Sequence, residues 1–195
     1  MKRTEAIRAI SDRFQDDFIV ACNGYISREL FNLHHSDHNF YVLGSMGLPS
    51  SIGLGLTIAR PDKKIIVVTG DGNQLMSLGT MVTIGKLSPR NFIEIVLDNE
   101  CYETTGGQGT SSSAARFDKL ALSSSFRRTI YALSLREFLE ALAECTRCEG
   151  PILVHAKIEK GDATPPRAKI DPVKTKTEFM RALGSKQTNE TNADD

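Results

Sequence analysis

The sequence predicts an α/β fold of three layers, α/β/α, built on one mostly parallel sheet, and three observations carry that prediction. Residues 64–69 and 92–97 are short runs, rich in β-branched side chains and nearly continuous in apolar residues, the pattern of strands buried on both faces. Residues 73–87, between them, are long enough for the crossover helix that parallel neighbours require. Strand-like and helix-like segments then alternate along nearly the whole chain, which is the signature of βα units rather than of separate sheet and helix domains.

The elements follow in order. Spaced apolar residues predict a helix over 4–14, and Phe18 opens a strand over 18–22. A helix over 27–33 is followed by a strand over 40–43. Residues 49–59 read as a helix of small residues opened by Pro49, and Pro61-Asp62 as a turn into the strand over 64–69. Beyond the strand over 92–97, residues 104–114 form a loop rich in Gly, Ser and Thr. A short helix over 117–122, a strand over 129–133, an amphipathic helix over 135–143, a last strand over 151–158 and a closing helix over 172–183 complete the domain. The sequence thus reads as one domain over 1–184 and a polar tail over 185–195, within "GSKQTNETNADD" from Gly184 on, with almost nothing to bury and therefore expected to be disordered.

Bulk composition narrows the function. The 195 residues carry 24 Lys plus Arg against 24 Asp plus Glu, so no general basic field attracts nucleic acid or a membrane surface. The N-terminal "MKRTEAIRAISDRF" lacks a signal-peptide core, and no segment approaches the roughly 20 apolar residues of a membrane span. A cytoplasmic protein with a small polar ligand is expected. Cys145 and Cys148 have CxxC spacing, but no second pair stands near to complete a zinc site, so inert thiols at a helix end are the better reading. His34, His35 and His38 lie in a polar stretch between elements and read as solvated loop histidines.

The chemistry concentrates where the two apolar runs end, in Gly70-Asp71-Gly72 and in Asp98-Asn99. Neighbouring parallel strands would bring both pairs to the carboxyl edge of the sheet, where open α/β sheets bind ligands. A carboxylate and an amide oxygen are hard donors suited to magnesium, which takes few protein ligands and completes its shell with phosphate and water. Gly72 and Asn73 would add backbone N–H groups and a helix dipole for a diphosphate. Taken alone, each dipeptide is also ordinary turn chemistry. Their pairing across strand, helix and strand, with a second glycine-rich stretch at Gly44-Ser45-Met46-Gly47, favours a metal-bound diphosphate. A dinucleotide site would need Gly-x-Gly-x-x-Gly after the first strand, and "CNGYISREL" lacks it.

The stretch from Gly70 to Asn99 resembles the thiamine diphosphate motif, which opens Gly-Asp-Gly and closes Asn-Asn; here the close is Asp98-Asn99, and the departure falls on the residue that is not the usual ligand. "GYISRELF", "FYVLGSMGLPSSIGLGLTIA", "DNECYETTGGQ" and "KTKTEFMRAL" are similar to successive segments of the sulfopyruvate and phosphonopyruvate decarboxylase family, over everything but the tail. The resemblance covers only the half of such enzymes that grips the diphosphate, the PP domain. It implies that magnesium is held by the side chains of Asp71 and Asn99 and the carbonyl of Cys101, with Gly70, Ser45 and Tyr102 beside the cofactor. It further implies that Met46 wedges the thiamine diphosphate into its bent form and that the Gly44 carbonyl accepts from the pyrimidine amino group; ordinary core packing is the weaker alternative for Met46.

Activation of the cofactor needs a carboxylic acid on the pyrimidine ring, and no glutamate here lies in a segment similar to that site. A separate pyrimidine-domain subunit, alpha to this beta, is therefore the implied partner, most simply in a heterotetramer, with a small anionic 2-oxo acid as substrate. Thr104, Thr105 and Gln108 follow the metal motif directly and are candidates for substrate contact or for a loop that orders over the cofactor. The remaining alternatives are a catalytically silent cofactor-binding subunit and a subunit acting on another 2-oxo acid.

Overall fold

The computed structural model describes residues 1–184; the tail over 185–195 lies outside the described residues. Six parallel strands make the sheet: β1 (Phe18–Ala21), β2 (Asn39–Tyr41), β3 (Ile65–Gly70), β4 (Phe92–Asp98), β7 (Arg128–Ala132) and β8 (Ile152–Lys157), in the spatial order β2-β1-β3-β4-β8-β7. A small antiparallel hairpin, β5 (Cys101–Tyr102) with β6 (Gln108–Gly109), stands apart. The predicted three-layer α/β architecture is therefore the observed one.

The four central strands are buried along almost their whole length, which explains why their sequences show apolar runs rather than alternation. Their side chains feed two cores. One face, with Ile66, Ile95, Val154 and Phe138, packs under α1 (Arg3–Arg13), α2 (Tyr25–His34) and α7 (Leu135–Cys145). The other, with Val67, Phe92, Phe117 and Phe179, is covered by α3 (Pro49–Ala59), α5 (Leu78–Leu87), α6 (Phe117–Ser123) and α8 (Pro172–Ala182).

Two departures from the sequence reading matter for the site. The crossover from β3 to β4 is not one helix over 73–87: α4 (Asp71–Met76) is a short first piece, broken at Ser77 from α5. Ser77 turns its hydroxyl onto the Asn73 carbonyl at 3.3 Å, a local bond that competes with the helix, and Gly79 and Thr80 follow with poor propensity. Helix α2 starts at Tyr25 rather than at Ser27, because the Ser27 hydroxyl is spent on the Cys22 and Ala21 carbonyls and Gly24 is the cap. The connection from β1 into α2 is therefore two residues shorter at its helix end than expected.

The flanking motifs are structural. All four cysteines are free, and burial pushes the Cys145 thiol up to about 12, out of reach of redox chemistry near neutral pH. His34 and His35 are exposed, as predicted, but His38 is half-buried and stacks on Phe18 with ring centroids 4.5 Å apart. Among the described residues no helix is long and apolar enough to cross a membrane.

Candidate functional site

The strand order reverses direction at β1, since β2 lies on one side of it and β3 on the other. The carboxyl ends around such a switch diverge and leave a crevice. A cleft of about 490 Å³ opens there, lined from β1 by Cys22 and Asn23, from β3 by Gly70 to Asn73 and from β4 by Leu97 and Asn99. Strands β3 and β4 pair Thr69 with Val96 and Gly70 with Leu97, so Asp71 and Asn99 emerge at the same edge, as the sequence predicts. Among the described residues no three His, Cys, Asp or Glu side chains converge as a closed metal site. The donor set is the open kind, one carboxylate and one amide with room for phosphate and water.

Asp71 is buried, and its Oδ2 accepts from the Thr110 hydroxyl at 2.5 Å. Burial raises its pKa above the ordinary carboxylate value, the Thr110 bond opposing this and the charge of Asp98 adding to it, so a cation placed here would relieve an unfavourable charge. The Asn99 amide oxygen accepts from the backbone N–H of Cys101 at 3.1 Å, which fixes its orientation while leaving a second lone pair.

Gly72 has no room for a side chain. A β-carbon there would lie 2.4 Å from Cε1 of Tyr102 and 3.0 Å from Cε of Met46, so Tyr102, Met46 and the Gly72 backbone form one wall. Met46 is delivered by a loop that only glycine-like geometry permits: Gly44, Ser45 and Gly47 all have positive φ, at 72°, 45° and 91°. The loop is tied to the motif, because the Gly47 N–H donates to Oδ1 of Asn73 at 2.9 Å and Nδ2 of Asn73 donates to Asn23 at 3.1 Å. Asn73 thereby acts through its side chain as a strut between three segments, a role beyond the backbone one expected of it.

The other expected residues divide. Cys101 and Tyr102 line the cleft, and Thr104 stands at the border between it and an adjoining cleft that Gly44 lines. Thr105 and Gln108 line neither; they bond to each other at 3.0 Å within the exposed β5–β6 turn. Ser45 lies in a separate groove toward α8. Sequence reasoning missed Asn23, Tyr25 and the pair Arg3 and Glu103, all of which line the cleft. Gly24, which caps α2 just after β1, was the available signal for Asn23 and Tyr25. Arg3 comes from the first turn of α1 and binds Glu29, Glu103 and, at 2.8 Å, the Ala163 carbonyl, an arrangement with no local sequence signature.

The residues present fit a magnesium-bound diphosphate: hard donors at Asp71 and Asn99, a cradle at Gly72 that a β-carbon would fill, and an apolar Met46 beside it. Residues 22–156 match the C-terminal TPP binding domain of thiamine pyrophosphate enzymes, the class that this fold and donor set define. The chain is 37% identical over 183 residues to sulfopyruvate decarboxylase subunit beta of Methanothermobacter thermautotrophicus, covering 94% of this chain and 96% of that one. It is 36% identical over 173 residues to phosphonopyruvate decarboxylase of Streptomyces viridochromogenes, covering 88% of this chain and 43% of that one. The chain belongs to the sulfopyruvate and phosphonopyruvate decarboxylase family of thiamine diphosphate enzymes, matching the beta subunit over nearly its full length. A solved structure described as a thiamin diphosphate-dependent enzyme from Mycobacterium smegmatis shares the fold, with a TM-score of 0.65 at 19% identity over 83% of this chain and 32% of that one.

Proposed function

We propose that this chain is the diphosphate- and magnesium-holding subunit of a cytoplasmic 2-oxo acid decarboxylase that converts sulfopyruvate or phosphonopyruvate to carbon dioxide and the corresponding aldehyde. The observation that carries this reading is the convergence of Asp71 and Asn99 at adjacent strand ends, in a chain similar to decarboxylase beta subunits from end to end. Asp71, Asn99 and the Cys101 carbonyl hold the metal. Gly70, Gly72, Asn73 and Tyr102 form the diphosphate cradle, and Ser45 shapes the loop that brings in Met46 and the Gly44 carbonyl. When bound, thiamine diphosphate supplies the electron sink for loss of carbon dioxide. The chain's own contribution is to fix that group, exclude water from its rim and orient it through Met46.

The activating glutamate is assigned to a partner. Glu103 is the glutamate that lines the cleft, and it is engaged by Arg3 and by the N–H of Gly161 at 2.7 Å. Glu29 is also held by Arg3, Glu94 is sealed within β4 against Ser50, and Glu100 accepts from Lys157 at 2.6 Å. A pyrimidine-domain subunit, most simply in a heterotetramer of two chains of each kind, would bring the missing carboxyl group to the interface. Leu48 and Met76 support this, being 48% and 62% exposed beside the Met46 loop, where Gly47 packs on Met76.

The test is carbon dioxide release from sulfopyruvate and phosphonopyruvate with magnesium and thiamine diphosphate. The co-purified two-subunit assembly should turn over at least one of them, and this chain alone should be inactive. Cofactor binding without turnover in the assembly would point instead to a silent regulatory subunit.

A further inference from the structure

Beside the cofactor cleft lies a second, wider one of about 950 Å³, joined to the first through Asn23 and Thr104 and bordered by Gly44. The two differ in charge. The first carries Asp71, Glu103 and an Arg3 already spent on carboxylates; the second is lined by Arg28 and Arg167 and by no acidic residue. Among the described residues neither of these guanidinium groups has a carboxylate partner. Arg28 is half-buried in the first turns of α2 and lies over the Tyr25 ring, 5.4 Å from its centroid, while Ser27 anchors that turn to the end of β1. Arg167 sits on a segment pinned to α2 by the bond from Asn32 to the Pro166 carbonyl at 3.0 Å. Half-buried Arg28 and exposed Arg167 thus border one cleft as two forked cations with no carboxylate partner among the described residues, free to take an external anion.

We infer that Arg28 and Arg167 bind the second anionic group of the substrate, its sulfonate or phosphonate, and thereby select a doubly anionic 2-oxo acid; this rests on the decarboxylase reading above. The chemistry decides which end of the substrate they hold. During decarboxylation the C1–C2 bond breaks, its electron pair stays with C2, and the carboxylate leaves as neutral carbon dioxide. Cations on that carboxylate would stabilise the ground state more than the transition state and slow the reaction. The tetrahedral anion keeps its charge throughout, so arginines placed on it contribute binding and aim without that penalty.

The experiment uses the two-subunit assembly carrying Arg28→Ala, Arg167→Ala or Arg28→Lys. Each alanine should raise KM for the doubly anionic substrate by about tenfold or more, and Arg28→Lys should recover part of the loss. Affinity for pyruvate, as substrate or inhibitor, and for thiamine diphosphate should stay unchanged, and sulfoacetate, an unreactive sulfonate, should lose its inhibition. Equal losses with pyruvate, weakened cofactor binding, or no change at all would overturn the assignment. If the wild-type assembly turns over neither acid, the decarboxylase reading falls, and calorimetry with sulfoacetate decides the subsite by itself: arginine-dependent binding retains it, and no binding removes it.

Discussion

Asp71 follows β3 and Asp98 ends β4, level with each other by the register that pairs Gly70 with Leu97, and both are buried. Their surroundings are opposite. Asp98 is saturated by the protein: Ser112 and the Glu100 N–H reach Oδ1 at 2.8 and 3.0 Å, and His155 and Lys157 reach Oδ2 at 2.8 and 3.0 Å. Burial alone would push its carboxyl up, but the bonds from His155, Lys157 and Ser112 outweigh burial and hold it at about 2. Asp71 has Thr110 and a raised pKa. Of two equivalent carboxylates, one is consumed internally and one keeps acceptor capacity for a ligand. The same contrast explains why an aspartate is tolerated where the resembling motif has asparagine: its charge is neutralised from β8, on the side away from the cleft.

The largest expected effect comes from breaking the ligand side. Asp71→Ala should lower turnover of the assembly by about a thousandfold or more, as loss of a metal's charged ligand removes the group's anchoring, while the thermal midpoint changes little. Breaking the structural side should do the reverse. Asp98→Ala removes the 2.8 Å partner of buried His155 and leaves Lys157 to Glu100 alone, and should cost about 3 kcal/mol of stability in denaturant titration. Asp98→Asn keeps most of the hydrogen bonds and should cost less.

Met46→Ala sharpens the contrast between grip and aim. Cofactor affinity should hold while kcat falls by about 10- to 100-fold, since alignment rather than binding is lost; equal losses would make Met46 a core residue only.

No effect on the chemistry is expected from the last contrast, a pH dependence of stability of opposite sign at two carboxylates. Asp98, with its folded pKa depressed, contributes stability that is present above about pH 4 and lost as pH falls toward about 2. Burial raises Glu94 to about 7, the Ser50 bond opposing, so its folded form binds a proton that the unfolded chain has released. Stability should therefore fall as pH rises from about 4.5 to about 7, with a limiting slope of about 1.4 kcal/mol per unit. Glu94→Gln should flatten that limb in pH-resolved unfolding, and Asp98→Asn the acid one.

The sheet was legible because burial on both faces writes itself into consecutive residues, as in 64–69 and 92–97. Helix α3 was legible from Pro49 and its small residues. The break at Ser77 and the early start of α2 were not, since each depends on which carbonyl a serine hydroxyl finds. Asp71 and Asn99 could be paired from strand order alone. The partners of Asp98 could not, because His155 and Lys157 arrive from β8 through the fold rather than along the chain, as does Arg3 beside the cleft. Arg28 stood inside a motif that carried the resemblance, but its want of an acidic partner is visible only in three dimensions.

The central claim is that Asp71, and not Asp98, holds the metal-bound diphosphate. Calorimetry of magnesium and thiamine diphosphate binding to the two-subunit assembly, compared for wild type, Asp71→Asn and Asp98→Asn, tests it directly. The expected result is near-complete loss of binding in Asp71→Asn with affinity retained in Asp98→Asn; retained affinity in Asp71→Asn, or loss confined to Asp98→Asn, would contradict it.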